Sequence, residues 1–125
     1  MIKAKTIKLA LPPEVPEIVH VDYDLWVLRL TLRFASMKEP FYLQFFNTRG
    51  FRVLDEGDLL EFWKPENRLA GVAWEIESGG WLDLEKTRSG FLSALHPARE
   101  FLVVGANECV SVIGTSIPGC FSAKP

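Results

Sequence analysis

Hydrophobic and polar residues alternate with a period of two along most of this chain, which is the pattern of half-buried β-strands. The clearest run extends from Leu25 to Phe34. Such alternation predicts one face in the core and one in solvent. The predicted core face of this run consists of Trp26, Leu28, Leu30, Leu32 and Phe34.

Similar patterns, separated by turn-forming residues, predict further strands along the chain. They are Ile2–Ala10 with a bulge, Ile18–Asp22, Phe41–Phe46, Phe51–Leu54, Leu59–Trp63, Val72–Ile76, Trp81–Leu84, Phe101–Val104 and Cys109–Ile113. A short helix is an option between Leu84 and Leu95, before His96-Pro97. The hairpin 51–63 is expected to close around the acidic turn 55–58. Trp74 falls on an apolar face and is expected in the core.

These elements predict a mainly β fold, with α+β as the alternative. We expect an antiparallel curved sheet, a sandwich or a partly open barrel, with at most one or two short helices. The length of 125 residues and the 48% hydrophobic content fit one domain spanning 1–125. Residues 115–125 contain two prolines and are expected to form an irregular tail.

Charge and targeting signals narrow the class of protein. The net charge of −2 argues against a nucleic-acid or membrane binder, since such proteins usually carry a basic face. Residues 51–90 hold nine acidic against five basic side chains, so the middle third is the acidic part. The start, Met1 to Leu11, alternates lysines with apolar residues, unlike a signal peptide. We therefore expect a cytoplasmic protein with Cys109 and Cys120 as reduced thiols.

Few residues point to catalysis or to a bound metal. His20 lies two residues before Asp22, and an ordinary surface pair is the interpretation we favour over half of a catalytic site. His96 precedes a proline in an expected loop. Cysteine and histidine lack the spacing of zinc ligands, and the 55–58 turn lacks the loop length of a calcium site. We expect no cofactor, no metal and no enzymatic activity.

Two tryptophans are expected on the acidic side of the fold. With Leu60, Phe62, Leu82 and Leu84 inward, the strand phase turns Trp63 and Trp81 outward among carboxylates. Exposed tryptophan supplies anchoring area and acidic residues steer a basic partner. The alternative is that a second layer, such as the short helix, covers both indoles. The predicted partner-binding residues are Asp55, Glu56, Asp58, Glu61, Trp63, Trp81, Asp83 and Glu85.

Four segments together resemble a known group of proteins. They are Arg52–Trp63, Glu77–Trp81, Glu100–Val104 and Glu108–Val112. Over roughly residues 50–115 the chain resembles the small bacterial immunity proteins of contact-dependent growth-inhibition and related toxin systems. The resemblance implies a cytosolic protein that binds one cognate toxin domain and blocks its active site. Because such toxins are often nucleases with basic clefts, it also implies a basic partner.

Two other functions stay open on the sequence alone. A curved sheet could hold a small apolar ligand against Phe41, Phe45 and Trp74. An exposed sheet edge could pair with a second copy to form a homodimer.

Overall fold

A computed structural model of the protein describes residues 2–55, 72–88 and 98–123. These residues form nine strands and one short helix. The strands are β1 (Lys3–Thr6), β2 (Glu17–Tyr23), β3 (Val27–Arg33), β4 (Phe41–Phe46), β5 (Gly50–Asp55), β6 (Ala73–Ser78), β7 (Arg99–Val104), β8 (Glu108–Gly114) and β9 (Gly119–Phe121). The helix α1 (Trp81–Glu85) lies between β6 and β7. In the described ranges, no helix is long and apolar enough to cross a membrane.

The strands form two antiparallel sheets. The five-stranded sheet has the order β1-β6-β7-β8-β5, and the four-stranded sheet has the order β2-β3-β4-β9. Hairpins join β2 to β3 and β7 to β8, whereas β4 passes to β5 by crossing from one sheet to the other. The mainly β, antiparallel fold predicted from the alternation is confirmed.

The two sheets pack face to face around one apolar core. The four-stranded sheet contributes the inward side chains Leu28, Leu30, Leu32, Leu43 and Phe45. The five-stranded sheet contributes Phe101, Val103, Val110 and Val112. Rings of the two sheets meet at Phe45 and Phe101, whose centroids lie 5.7 Å apart. Because the two sheets bury their apolar faces against each other, the arrangement is a sandwich.

The five-stranded sheet is also buried on its other face. A second cluster there contains Ile2, Trp74, Ile76, Leu102, Val104 and Cys109. Trp74 is therefore buried, as predicted, but behind the sheet rather than between the sheets. The two cysteines lie in different sheets, Cys109 in β8 and Cys120 in β9, and both are free thiols.

Two predicted elements differ from the structure here. Residues 81–85 form a helix instead of a strand, because a buried carboxylate from β7 binds their first N–H groups. As a result Leu84, predicted to face the core, is exposed. The predicted irregular tail includes β9, whose residues pair with Tyr42, Leu43 and Gln44 of β4.

The predicted 51–63 hairpin is tested only in its first strand. β5 occurs as predicted and pairs with β8, with Phe51 opposite Val112. Its expected partner, Leu59–Trp63, lies outside the described residues, as does most of the expected helix 84–95.

Candidate protein-binding site

The β2–β3 turn is a tip that is fixed by one carboxylate. Asp24 Oδ1 accepts the backbone N–H of Trp26 at 2.9 Å and that of Val27 at 2.8 Å. The Asp24 N–H in turn donates to the Val27 carbonyl at 3.3 Å. An aspartate that binds the backbone two or three residues ahead competes with strand pairing and shapes a turn. The strand β3 consequently begins at Val27, not at Leu25.

This tip exposes two large apolar side chains. Leu25 is 78% exposed and Trp26 is 79% exposed. The prediction that Trp26 lies in the core is wrong, because the turn takes residue 26 out of the alternating strand. Leu25 has a φ of 77°, which is uncommon for a residue with a branched side chain. Such conformations cost about 1–3 kcal/mol and cluster at functional sites.

Further apolar side chains lie beside the tip on the outer face of the four-stranded sheet. Val27 pairs with Phe46, and Phe46 is 44% exposed. β4 also pairs with β9, where Gln44 is opposite Gly119. Ile117, two residues before β9, is 49% exposed. Val27 and Phe46 thus extend the apolar surface of the tip.

Several chain connections meet at this end of the sandwich, here named the Trp26 end. They include the tip 24–26, the β4–β5 connection 47–49 and the β8–β9 connection 115–118. The Arg49 N–H donates to the Ile113 carbonyl at 2.8 Å, which ties the second connection to the end of β8. Loops grouped at one end of a sandwich are a common place for binding residues.

Side chains of the strands hold the tip against the rest of the molecule. The Tyr23 ring packs edge-on against Phe51 of the other sheet, with centroids 5.2 Å apart. Arg29 donates to Asp22 at 3.2 Å and to Gln44 at 3.0 and 3.2 Å, linking three neighbouring strands. The exposed indole therefore lies on a turn that is held in place by packing and hydrogen bonds.

The tip also carries a carboxylate, that of Asp24, which stays ionised to lower pH than usual. The N–H groups of Val27 and Trp26 hold the pKa of the Asp24 carboxyl below its usual value. Asp22 lies two residues earlier on β2 and is itself exposed. An ionised carboxylate beside a large apolar surface favours a partner with a basic rim.

The predicted acidic site is described only in part. Asp55, Trp81, Asp83 and Glu85 lie in the described residues. Asp55 ends β5, whereas the Trp81 ring lies 3.7 Å from where a Cβ on Gly50 would be. The Trp81 ring thus lies against the Gly50–Arg52 part of β5. The remaining predicted residues, Glu56, Asp58, Glu61 and Trp63, lie outside the described residues.

Trp81 is half-buried, and its polar and charged neighbours are paired within the chain. Its Nε1 donates to Glu85 at 3.1 Å, and the Arg52 guanidinium lies 4.8 Å above its ring. Glu85 also pairs with Arg88, while Asp83 accepts the Gly79 N–H at 2.8 Å. These interactions leave Trp81 with less free surface than Trp26.

A buried carboxylate positions this helix. Glu100 is 1% exposed and accepts the N–H of Leu82 at 2.8 Å and that of Trp81 at 3.1 Å. Burial raises the pKa of the Glu100 carboxyl, and these two donors oppose the shift. Glu100 satisfies N–H groups that a helix start otherwise leaves unpaired. Its role here is therefore structural.

Other buried polar atoms share the outer face of the five-stranded sheet. Arg52 pairs with Ser111, Ser111 with Leu102, and Leu102 with Trp74. Within the described residues, Arg52 Nε, Ser111 Oγ and Trp74 Nε1 are buried without a hydrogen-bond partner. This row supplies polar atoms, but no histidine lies in it to activate the serine.

The described residues form neither the catalytic histidine–aspartate pair nor the metal site that were considered from the sequence. Asp22 pairs with Arg29, and His20 is exposed on β2 opposite Thr31. His96 lies outside the described residues. No three His, Cys, Asp or Glu side chains in the described ranges come together as metal ligands would.

The ligand site predicted at Phe41, Phe45 and Trp74 does not form as one pocket. Phe41 and Phe45 belong to the core between the sheets, whereas Trp74 belongs to the cluster behind the five-stranded sheet. The sheet itself separates them.

No protein-family model matches the chain, and searches among curated proteins and among solved structures found no similar protein.

Proposed function

We propose that this chain is a protein-binding module that docks on its partner through the Trp26 end. The observation that carries the proposal is the pair Leu25 and Trp26, both more than three-quarters exposed on a turn held by Asp24. Tryptophan in the centre of an apolar patch is the side chain that most often dominates binding energy at protein interfaces.

Exposing two large apolar side chains on a turn with a positive φ lowers the stability of the folded chain, which supports a functional reason for this surface. A large apolar side chain kept in water forgoes roughly 1.5–3 kcal/mol that burial would provide. The positive φ of Leu25 adds a further cost. Neither feature contributes to the core, so both are explained most simply by a partner that covers them.

An immunity-type inhibitor in the cytoplasm is the specific version of this function that we propose. Asp24 gives the rim of the Trp26 end an ionised carboxylate. A toxin domain with a basic cleft fits that charge, and the sequence resemblance implies such a partner. The indole would enter an apolar pocket of the toxin while the carboxylate faces its basic residues. The toxin would be neutralised by occlusion.

Matched variants test which surface binds. The tagged chain is used to capture partners from its native lysate, alongside Trp26→Ser and Met37→Ser. Met37 is also exposed, but it lies beyond the other end of β3. We expect one stoichiometric basic protein with the wild type and with Met37→Ser, and a loss of at least 30-fold in affinity with Trp26→Ser, about 2 kcal/mol. Equal capture by both variants would contradict the proposal.

The acidic residues predicted from sequence provide the competing surface. Glu61→Lys, Trp63→Ser and Asp83→Lys would abolish capture if the partner binds there. We expect these three variants to retain at least one-third of the wild-type affinity. A second copy of the chain as the captured protein would indicate a homodimer and would exclude the inhibitor function.

A further inference from the structure

A second, independent surface lies at the opposite end of the sandwich from Trp26. It is a cleft of about 660 Å³ between the segment 6–15 and residues 72–73. Its walls are mainly apolar, with Ile7, Leu9, Leu11, Val15 and Val72 among the lining residues. Clefts of roughly 300–1,000 Å³ with apolar walls and few polar groups are typical of small-molecule sites.

The wall of the cleft has a fixed backbone. The Leu11 N–H donates to the Leu9 carbonyl at 2.8 Å, and the Glu14 N–H donates to the Pro12 carbonyl at 2.9 Å. The Ala106 N–H bonds to the Pro16 carbonyl at 2.8 Å, which ties the segment to the β7–β8 turn. Prolines further restrict the chain. A preformed wall of this kind binds a ligand without a large ordering cost.

The same backbone disfavours an extended peptide as the occupant. Strand addition needs free main-chain N–H and C=O groups along an edge. Here Pro12, Pro13 and Pro16 have no N–H, while the N–H groups of Ile7, Leu11 and Glu14 are already bonded within the chain. Residues 11–16 thus offer no continuous row of free N–H groups for strand addition, which favours a small apolar molecule held mainly by side chains.

Lys8 is the basic side chain of the cleft lining. Lys8 lines the cleft and, in the part of the chain that the structure describes, forms no ion pair. Lys5, three residues earlier, lies 3.8 Å from Glu75. Glu14, the acidic residue of the lining, accepts the Ser36 N–H at 3.0 Å, which lowers the pKa of its carboxyl.

We propose that this cleft binds an anionic amphiphile, a monocarboxylate with an alkyl tail, with the tail against the apolar wall and the carboxylate at Lys8. Apolar burial provides most of the affinity, and Lys8 binds the anionic head group away from Glu14, whose carboxylate is held by the Ser36 N–H. The site is separate from the Trp26 end, so Trp26→Ser should bind the ligand as the wild type does.

Isothermal titration of the full chain with dodecanoate, below its micelle concentration, tests the proposal. We expect one saturable site, with dodecyltrimethylammonium, the matched cation of equal tail length, binding at least tenfold more weakly. Lys8→Glu should weaken dodecanoate binding about tenfold, or 1.4 kcal/mol. Lys3→Glu, at an exposed lysine of β1 outside the cleft lining, should change it less than twofold.

A second variant separates the site from general charge attraction. Val15 is an exposed residue of the lining, and Val19 is a comparably exposed valine on β2. Val15→Asp should weaken dodecanoate binding at least tenfold, and Val19→Asp should not. Absence of saturable binding, equal effects of Lys8→Glu and Lys3→Glu, or equal binding of the cation would each overturn the proposal, with folding of every variant checked by circular dichroism.

Discussion

Replacing Glu100 by alanine should destabilise the protein in a way that depends on pH. Glu100 is the buried carboxylate that binds the start of α1, and alanine removes both of its oxygens. The backbone N–H groups of Trp81 and Leu82 then lose the acceptors at 3.1 and 2.8 Å. Leu82, which is buried, is the residue most affected.

The magnitude follows from the number of groups left without partners. Each buried donor without an acceptor costs about 1–3 kcal/mol, so two give about 2–6 kcal/mol. Removing a buried charge returns part of this, since a carboxylate with 1% exposure is poorly solvated. We therefore expect the free energy of unfolding to fall by about 2–4 kcal/mol, the range of a disrupted buried network.

The pH dependence has a definite sign. Burial raises the pKa of Glu100 in the folded state above its usual value near 4.5. Between 4.5 and that raised value the folded state binds more protons than the unfolded state, so the wild-type contribution to stability falls as pH rises. Alanine cannot titrate. The stability difference between wild type and Glu100→Ala should therefore be largest at acid pH and shrink as pH increases through this window.

Urea denaturation followed by circular dichroism, repeated between acid and neutral pH, measures both effects. Glu39→Ala, an exposed glutamate in the β3–β4 connection, is the control and should change stability by less than about 0.5 kcal/mol. A Glu100→Ala protein as stable as the wild type, or a difference that grows with pH, would refute the role given to Glu100.

Three further changes test other parts of the structure by the same unfolding measurement. Glu75 accepts two bonds of 2.7 Å from Arg99, which lower the pKa of Glu75, so Glu75→Gln should cost about 1–3 kcal/mol at neutral pH. That loss should vanish as pH falls below the lowered pKa, and a loss that persists at acid pH would refute the pairing. Gly80→Ala should cost about 1–3 kcal/mol, because its Cβ would lie 2.7 Å from Glu100 Oε1; a neutral result would contradict the packing. Ser111→Ala should raise stability by about 1 kcal/mol, since its buried hydroxyl has no hydrogen-bond partner among the described residues; destabilisation would contradict this.

The β architecture could be predicted because alternation and burial agree over most strands. Leu28, Leu30 and Leu32 are fully buried while Arg33 is exposed, as the period-two pattern requires. The pairing of β5 with β8, and the division into two sheets, could not be predicted in this way. Both depend on contacts between residues far apart in sequence.

Local hydrogen bonds explain two of the elements that were predicted wrongly. Alternation alone continues from Leu28 back to Trp26, but the Asp24 carboxylate binds the backbone there and ends the strand. The segment 81–85 is too short for its hydrophobic pattern to distinguish a strand from a helix. Glu100, nineteen residues from Trp81, fixes the helix through tertiary hydrogen bonds.

The candidate site was missed for the same reason. The sequence directed attention to Trp63 and Trp81 because acidic residues surround them, whereas Trp26 shares the phase of a core strand. One signal was present: Asp24 precedes Trp26 by two residues, and aspartate at that spacing favours a turn. The exposure of Trp26 follows from that turn.

Site-specific photocrosslinking tests the central claim, that the Trp26 end contacts a protein partner, most directly. Photoreactive benzoylphenylalanine replaces Trp26, Trp81 or Met37 in the full chain, and the native lysate is irradiated. We expect one major covalent adduct to a basic protein from position 26 and none above background from position 37. An adduct from position 81 alone, or equal adducts from all three positions, would show that the partner does not bind at the Trp26 end.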